Sequence, residues 1–554
     1  MDALFVPLAT ATGASLDQIK LISCLLFSYP LGSVFIRLPN DNPNAKHLFN
    51  VAVSVFYVII VLNLWTGFLQ LLFDVVGTYL IASNVKGSNM PWIVFAFAMG
   101  HLTMNHVIRA VYGLSYETFE VTGPQMVLVM KLTTFAWNVY DGRRPIEVRA
   151  PQTTGMRILM HSRPQELDRW QTEKRVAQFP SLLAFLGYCF YFPGMLVGPY
   201  LEFADYMDLV HGTLFKALEK DMDKKRAAAK VPGRLVPRGR KRVAYRKMVM
   251  GLTYLGLFVV LGGQYNYGIA IQDWFAQKPL WYRMVIFQVC GFFERTKYYA
   301  LWILTEGAAI LTGLGFTGFD ASGATRWDGA ANVKVWTIEF APNMKVLLDS
   351  WNMKTNVWLR ECVYKRVTPK GKKPGFRSSM ITFMTSAFWH GIAGGYYLTF
   401  AFGGFVQTVG RLCRSNLRPL VLPADYVQSR TAPPPPQTPI KIAYDIVGTA
   451  FSIYLLNYLA APFMLMTIRD SLLGWSRLAW TGHIIVVVAI AFFYGGGTKF
   501  LRGVQKARMK AAGVSVDAGK PKADGGASGA VTPGIRTLPP LDDFAKEVER
   551  KLNE

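Results

Sequence analysis

Apolar stretches long enough to cross a lipid bilayer recur from near the start of this chain almost to its end. A spanning helix needs roughly 17 to 25 such residues, because it rises 1.5 Å per residue through hydrocarbon about 30 Å thick. Residues 19–36, 48–64, 93–111, 248–271 and 484–494 with its flanks are the plainest runs. Residues 284–290, 300–316, 380–409 and 440–466 add others, interrupted by Gly, Pro or polar side chains. A surface helix of a soluble protein returns to polar residues at each turn, and these runs do not. The fold expected is therefore all-α, a polytopic integral membrane protein.

Charge then has to be placed around the runs. The chain carries a net +25, and its basic residues lie mainly in the segments between apolar runs. There they act first as topology signals under the positive-inside rule. They also leave a cationic face beside the membrane, which suits phosphate-bearing ligands rather than nucleic acid. Residues 212–247 hold thirteen Lys/Arg against three Asp/Glu, including Lys224, Lys225, Arg226, Arg240, Lys241 and Arg242, and read as a basic cytosolic loop. The loop 141–176 is also basic, through Arg143, Arg144, Arg149, Arg157 and Arg163. Between two loops on one side of the membrane, residues 179–203 cannot be a simple span. With Pro193, Gly194, Gly198 and Pro199 inside it, this piece is expected to be a re-entrant or broken hairpin bordering a cavity.

Three parts result: an N-terminal segment 1–14, a membrane domain 15–500, and a cytosolic tail 501–554 rich in Gly, Ala, Lys and Pro that is expected to be disordered. The first eighteen residues lack a basic leader and carry Asp2 and Asp17, so the first run reads as a retained span. Five scattered cysteines (Cys24, Cys189, Cys290, Cys362, Cys413) form neither a disulfide framework nor a metal site. No metal and no cofactor is expected.

Among seven histidines, His390 stands apart. His47, His161 and His211 lie in or beside polar loops, His483 is near the start of a run, and His101 and His106 suit interhelical hydrogen bonds. His390 lies in SAFWHG, thirteen residues beyond Arg377. As helix that distance is about 20 Å, near the middle of a bilayer. An ionisable side chain at that depth faces a cavity or a partner and is a functional candidate. Desolvation favours its neutral form, which a general base requires. A second candidate is the run 349–360, where Asn352 and Asn356 are four apart and would share a helix face. A buried carboxamide there can orient a hydroxyl, fix a histidine tautomer or donate to an oxyanion, or it can simply pack.

These two stretches carry a resemblance. The run 351–364 (WNMKTNVWLRECVY), with His390 following Asn352 by 38 residues in SAFWHGIAGGYY, resembles the membrane-bound O-acyltransferases, and among them the fungal broad-specificity lysophospholipid acyltransferases. Two further matches support this: Arg295, Lys297, Tyr298, Tyr299, Trp302, Glu306 and Gly307 in RxKYYxxWxxxEG, and Pro193, Gly198, Pro199 and Tyr206 in PxxxxGPxxxxxxY. The resemblance implies about eleven transmembrane helices, plus re-entrant segments, around a central tunnel, in a multi-pass protein of the endoplasmic reticulum membrane. It implies catalysis by His390 and Asn352, with acyl-CoA as co-substrate and a lysophospholipid as acceptor among membrane lipids. Trp351, Asn356, Arg360, Tyr364 and Trp389 are then expected at the substrates. Lys297, Tyr298, Tyr299 and Trp302 would line the tunnel, Glu306 would meet a headgroup or a neighbouring helix, and Gly198 and Pro199 would shape the broken segment. Lys365, Arg366, Lys370, Lys372, Lys373 and Arg377 form a cationic strip suited to the phosphates of coenzyme A, or one that only sets topology. Two other readings stay open: the same chemistry on a sterol, diacylglycerol or protein, and a membrane transporter. Headgroup, acyl-chain preference and oligomeric state are not legible.

Overall fold

The computed structural model describes residues 1–114, 118–144, 167–216, 236–320, 322–369, 375–426 and 434–514. The middles of both basic loops, Lys370, Lys372, Lys373, Pro433 and the chain from 515 onward fall outside those residues. Among these residues the architecture is helical apart from one short antiparallel pair, Gly318–Phe319 with Thr325–Arg326. Six helices among the described residues are long and apolar enough to span a bilayer: Leu16–Phe35, Pro43–Val61, Trp65–Asn84, Arg240–Ile271, Pro439–Leu465 and Thr481–Ala511. The chain is a multi-pass membrane protein, packed as two compact units.

The first unit takes Met1–Val259 and Lys297–Asn332. Its helices start where local chemistry dictates. Leu16–Phe35 opens on a capping box in which Ser15 and Gln18 exchange side-chain-to-backbone hydrogen bonds, satisfying amides that lack intrahelical partners. Asn63, at φ 57°, breaks the apolar sequence between Pro43–Val61 and Trp65–Asn84, and that second helix is additional to the runs recognised in the sequence. So is Thr122–Gly142, whose polar residues Gln125, Lys131, Asn138 and Asp141 are all buried. Here a network replaces lipid. Gln125 Nε2 donates to Asp74 Oδ2 at 2.8 Å, Asn105 donates to Gln125 at 2.8 Å, and His101 meets Asp74 Oδ1 at 2.7 Å. That last contact is the interhelical bond expected of His101. His47, close to the loop that precedes its helix, is buried, with its Nδ1 2.8 Å from the Tyr206 hydroxyl.

The segment 179–203 is broken, as its prolines and glycines require. Helix Leu182–Cys189 stops, Phe192–Met195 forms a single turn, and a cis peptide joins Gly198 to Pro199 before helix Phe203–His211. The expected cavity is not what covers its free carbonyls. Lys131 Nζ donates to Tyr188 O and Cys189 O at 3.1 and 3.0 Å, Ser54 Oγ to Phe190 O at 2.7 Å, and Tyr188 Oη to Leu201 O at 3.1 Å. A void of about 10 Å³ lies beside Lys131, Cys189, Phe190 and Met195. Side chains from neighbouring helices do the work that water would otherwise do.

The second unit takes Val260–Thr296 and Val333–Glu554. The two short runs 284–290 and 300–316 prove to belong largely to one helix, Leu280–Thr312, about 50 Å long. Its chain passes from the second unit to the first at Thr296–Lys297. The run 380–409 is likewise not one span. It folds back on itself as helix Phe376–His390, a short turn, and helix Gly394–Asn416, with Met380 and Phe383 against Gly403 and Gly404 and Phe376 against Phe405.

Candidate active site

His390 is the last residue of its helix. The next residue, Gly391, has φ 133° and ψ −164°, a backbone region open essentially to glycine alone. That ends the helix at the imidazole and turns the chain. Gly395 makes the second constraint. Its amide donates to Met466 O at 2.7 Å, and a Cβ there would lie 2.0 Å from Pro462 O. The start of Gly394–Asn416 is thereby pressed against the end of Pro439–Leu465, a contact that Thr399 Oγ1 extends by donating to Leu459 O at 2.9 Å.

This packing builds an aromatic wall around the half-buried His390. Phe400 stacks on the imidazole at 5.4 Å and 20°. Phe463 meets it edge-on at 4.8 Å, Tyr396 lies at 5.6 Å, and Trp389 at 4.6 Å. Trp389 had been expected at the site. Tyr396 lay within the quoted histidine motif, but its part in the wall was not drawn from it. Phe463 comes from 73 positions further along, on a different helix, and no local pattern marks it. Such a wall excludes water from one side of the ring. The helix C-terminus behind it, a site of partial negative charge, favours a positive charge that develops on the imidazole.

The asparagine segment is not the continuous helix its spacing suggested. Asn352 sits just outside helix Met353–Trp358, in the left-handed region at φ 43° and ψ 52°, and its side chain makes no capping bond. Asparagine tolerates that conformation better than most residues, and a strained backbone of this kind points to a site. Its Oδ1 accepts from Thr355 Oγ1 at 2.8 Å. Asn356 does something else: its Nδ2 donates to Leu348 O and Trp351 O, both at 2.7 Å, tying off the carbonyls of helix Met344–Ser350. The two carboxamides therefore differ in their partners: Asn356 donates to backbone carbonyls, whereas Asn352 accepts from a side-chain hydroxyl.

The helix continues as a π-helical turn, Leu359–Tyr364, a distortion frequent at functional sites. Trp358, fully buried, packs on Trp389 at 5.5 Å, so the asparagine and histidine segments are joined through two tryptophans. Arg360 and Lys365 both pair with buried Glu361, at 2.7 and 2.5 Å, and Arg366 Nε donates to Glu361 O at 3.1 Å. The cationic strip is thus partly neutralised by an acid just outside it. Tyr364 is buried.

The remaining motif residues divide between the units. Arg295, in the second, makes a two-pronged pair with Glu339 at 3.0 and 2.7 Å and also donates to Asn457. In the first unit, Glu306 pairs with Lys247 at 2.9 Å, the neighbouring-helix alternative of the two expected. Lys297 Nζ lies over the rings of Tyr298 and Phe258 at 5.4 and 5.8 Å, Tyr298 packs on Trp302 at 5.6 Å, and buried Tyr299 meets Tyr254 at 5.4 Å. Gly198 and Pro199 are buried in the same unit, within the packed broken segment.

The structure thus brings together a histidine that closes its helix against an aromatic wall and, through two tryptophans, a segment that holds an asparagine in the left-handed region. The pattern that defines the membrane-bound O-acyltransferase family matches residues 108–432. A lysophospholipid acyltransferase of Schizosaccharomyces pombe is 37% identical over 493 residues, 89% of each chain. One from Saccharomyces cerevisiae is 36% identical over 500 residues, covering 89% of this chain and 77% of that protein. The membrane-bound glycerophospholipid O-acyltransferase 1 of Mus musculus is 28% identical over 497 residues, 88% of this chain and 91% of that one. This chain belongs to the membrane-bound O-acyltransferase family.

Proposed function

We propose that the chain transfers a fatty acyl group from acyl-CoA to the free glycerol hydroxyl of a lysophospholipid, with His390 as general base and Asn352 as its carboxamide partner. One observation supports this above the rest: the chain halts its helix at His390 and packs it, through Trp389 and Trp358, against the segment of Asn352. The likeness to lysophospholipid acyltransferases supplies the acceptor class.

In this reading the imidazole takes the hydroxyl proton as the lipid oxygen attacks the thioester carbonyl. The tetrahedral intermediate collapses, the C–S bond breaks, and the proton returns from the imidazolium to the leaving thiolate. Asn352 holds the hydroxyl or the developing oxyanion. The helix C-terminus stabilises the transient imidazolium by about 0.3–1 kcal/mol, up to ~2 where solvent is excluded. The aromatic wall keeps out water that would hydrolyse the thioester. The family likeness further favours about eleven spanning helices around a tunnel, donor entry from the cytosolic side, and residence in the endoplasmic reticulum.

The test presents labelled oleoyl-CoA and a panel of lysophospholipids to the purified full chain. Esterification of at least one lysolipid is expected. His390→Ala should lower turnover by about 10²- to 10⁴-fold, the usual contribution of a general base, with expression intact. Near-normal turnover in that variant would refute the assignment of His390. Transfer only to a sterol or a diacylglycerol would replace the acceptor while leaving the chemistry in place.

A further inference from the structure

A shallow, open cleft of about 590 Å³ lies along one side of helix Phe376–His390, its described lining all from that helix: Phe376, Met380, Ile381, Met384, Thr385 and Phe388, with Arg377 at one end. Positions 377, 380, 381, 384 and 388 fall on a single helical stripe. His390 follows Phe388 by two residues, about 200° around the axis at 100° per residue, so the cleft lies on the far side of the helix from the imidazole and its aromatic wall. Arg377 is exposed, and it makes no ion pair or side-chain hydrogen bond with any other described residue. A largely apolar face about 17 Å long thus ends at an exposed guanidinium.

We infer that this cleft is a binding site for a diacyl phospholipid of the surrounding membrane, its phosphate on Arg377 and one acyl chain along Met380, Met384 and Phe388. The chemistry matches at both ends. A guanidinium pairs with a phosphate through two parallel hydrogen bonds, and an unbranched chain can lie along a face whose flexible methionines adjust to its shape. Distance decides that such a lipid is a resident and not the reacting acceptor, a step that rests on the assignment of His390 above. From Arg377 to His390 is thirteen residues, about 20 Å of helix. The free hydroxyl of a lysophospholipid sits on the same glycerol as its phosphate, so a phosphate held at Arg377 leaves that hydroxyl far outside the 3–3.5 Å or so needed for attack. The bound lipid supports the histidine helix from behind.

The experiment washes the detergent-purified full chain free of loosely held lipid, measures retained phospholipid by mass spectrometry, and then re-adds a phosphatidylglycerol as the probe. Wild type should retain phospholipid stoichiometrically and rebind the probe. Arg377→Gln, which removes the phosphate partner, and Met384→Trp, which fills the cleft, should each reduce rebinding by about tenfold, the scale of one charge-assisted contact. Loss of all lipid from wild type, or equal retention by all three proteins, would mean annular lipid only and would overturn the site. So would unchanged rebinding by Arg377→Gln combined with a raised KM for acyl-CoA, which would place Arg377 at the donor entrance. Binding is read without turnover, so failure of the acyltransfer assignment would be seen separately, as no esterification by a wild type that still holds its lipid. Tryptophan at 384 can disturb folding; Arg377 is exposed, and its variant carries the test alone in that case.

Discussion

Asn352 offers a perturbation in which backbone and side chain can be separated. Its φ of 43° and ψ of 52° cost a residue with a Cβ roughly 1–2 kcal/mol relative to right-handed conformations, less for asparagine itself. Asn352→Ala therefore loses the carboxamide and incurs the conformational penalty together. Asn352→Gly loses the same carboxamide but sits in that region freely, at the cost of about 0.5–1 kcal/mol of extra unfolded-state entropy. Gly should thus be the more stable variant by about 0.5–1 kcal/mol, seen as a higher midpoint of thermal inactivation in one detergent. If the side chain acts on the substrate, the stability difference will not carry into catalysis. Both variants should lose about 10²- to 10³-fold in kcat, the scale for removing one positioned donor from an acyl-transfer site. Transfer of labelled oleate from oleoyl-CoA to a saturating lysophospholipid measures it. The reasoning fails if Asn352→Gly keeps near-wild-type kcat, since Asn352 would then be present only for its tolerance of the left-handed turn.

Other expectations follow from the same geometry. Gly395→Ala should destabilise the protein by about 1–3 kcal/mol or more, as overpacking does, because its new Cβ would lie 2.0 Å from Pro462 O; an unchanged thermal midpoint would show that the two helices yield freely. Lys131→Met strips the side-chain donor from Cys189 O and one donor from Tyr188 O, which keeps its bond from Tyr191 N, and should cost about 1–3 kcal/mol for the carbonyl left unsatisfied, read as a lower thermal midpoint. Phe463→Ala opens the wall at its edge-on contact with His390; hydrolysis of acyl-CoA without acceptor should rise relative to transfer, and an unchanged ratio of the two would argue against water exclusion.

Much of the membrane architecture was legible because it is local. Helices such as Leu16–Phe35 and Pro439–Leu465 follow from uninterrupted apolar runs, and a bilayer accepts such runs as helix whatever lies beside them. His390 stands out as a candidate for a related reason: an ionisable residue amid apolar neighbours carries an electrostatic cost that needs a purpose. Helix Thr122–Gly142 was not legible, because Gln125, Lys131, Asn138 and Asp141 disguise it, and it takes partners on other segments to make the burial of Gln125 and Lys131 tolerable.

What the sequence by itself determined, then, is the solvent this chain folds in and the polar groups it carries within its apolar runs. Tertiary structure alone decided how they are used. It folded the run 380–409 into a hairpin at Gly391, gave Asn356 to the backbone of a neighbouring helix while leaving Asn352 outside the helix, and brought Phe463 to the imidazole from a remote position. The physical reason is range. Transfer of apolar side chains into hydrocarbon is paid residue by residue and can be read along the chain, whereas a hydrogen bond or ring contact depends on a partner whose distance in sequence bears no relation to its distance in space.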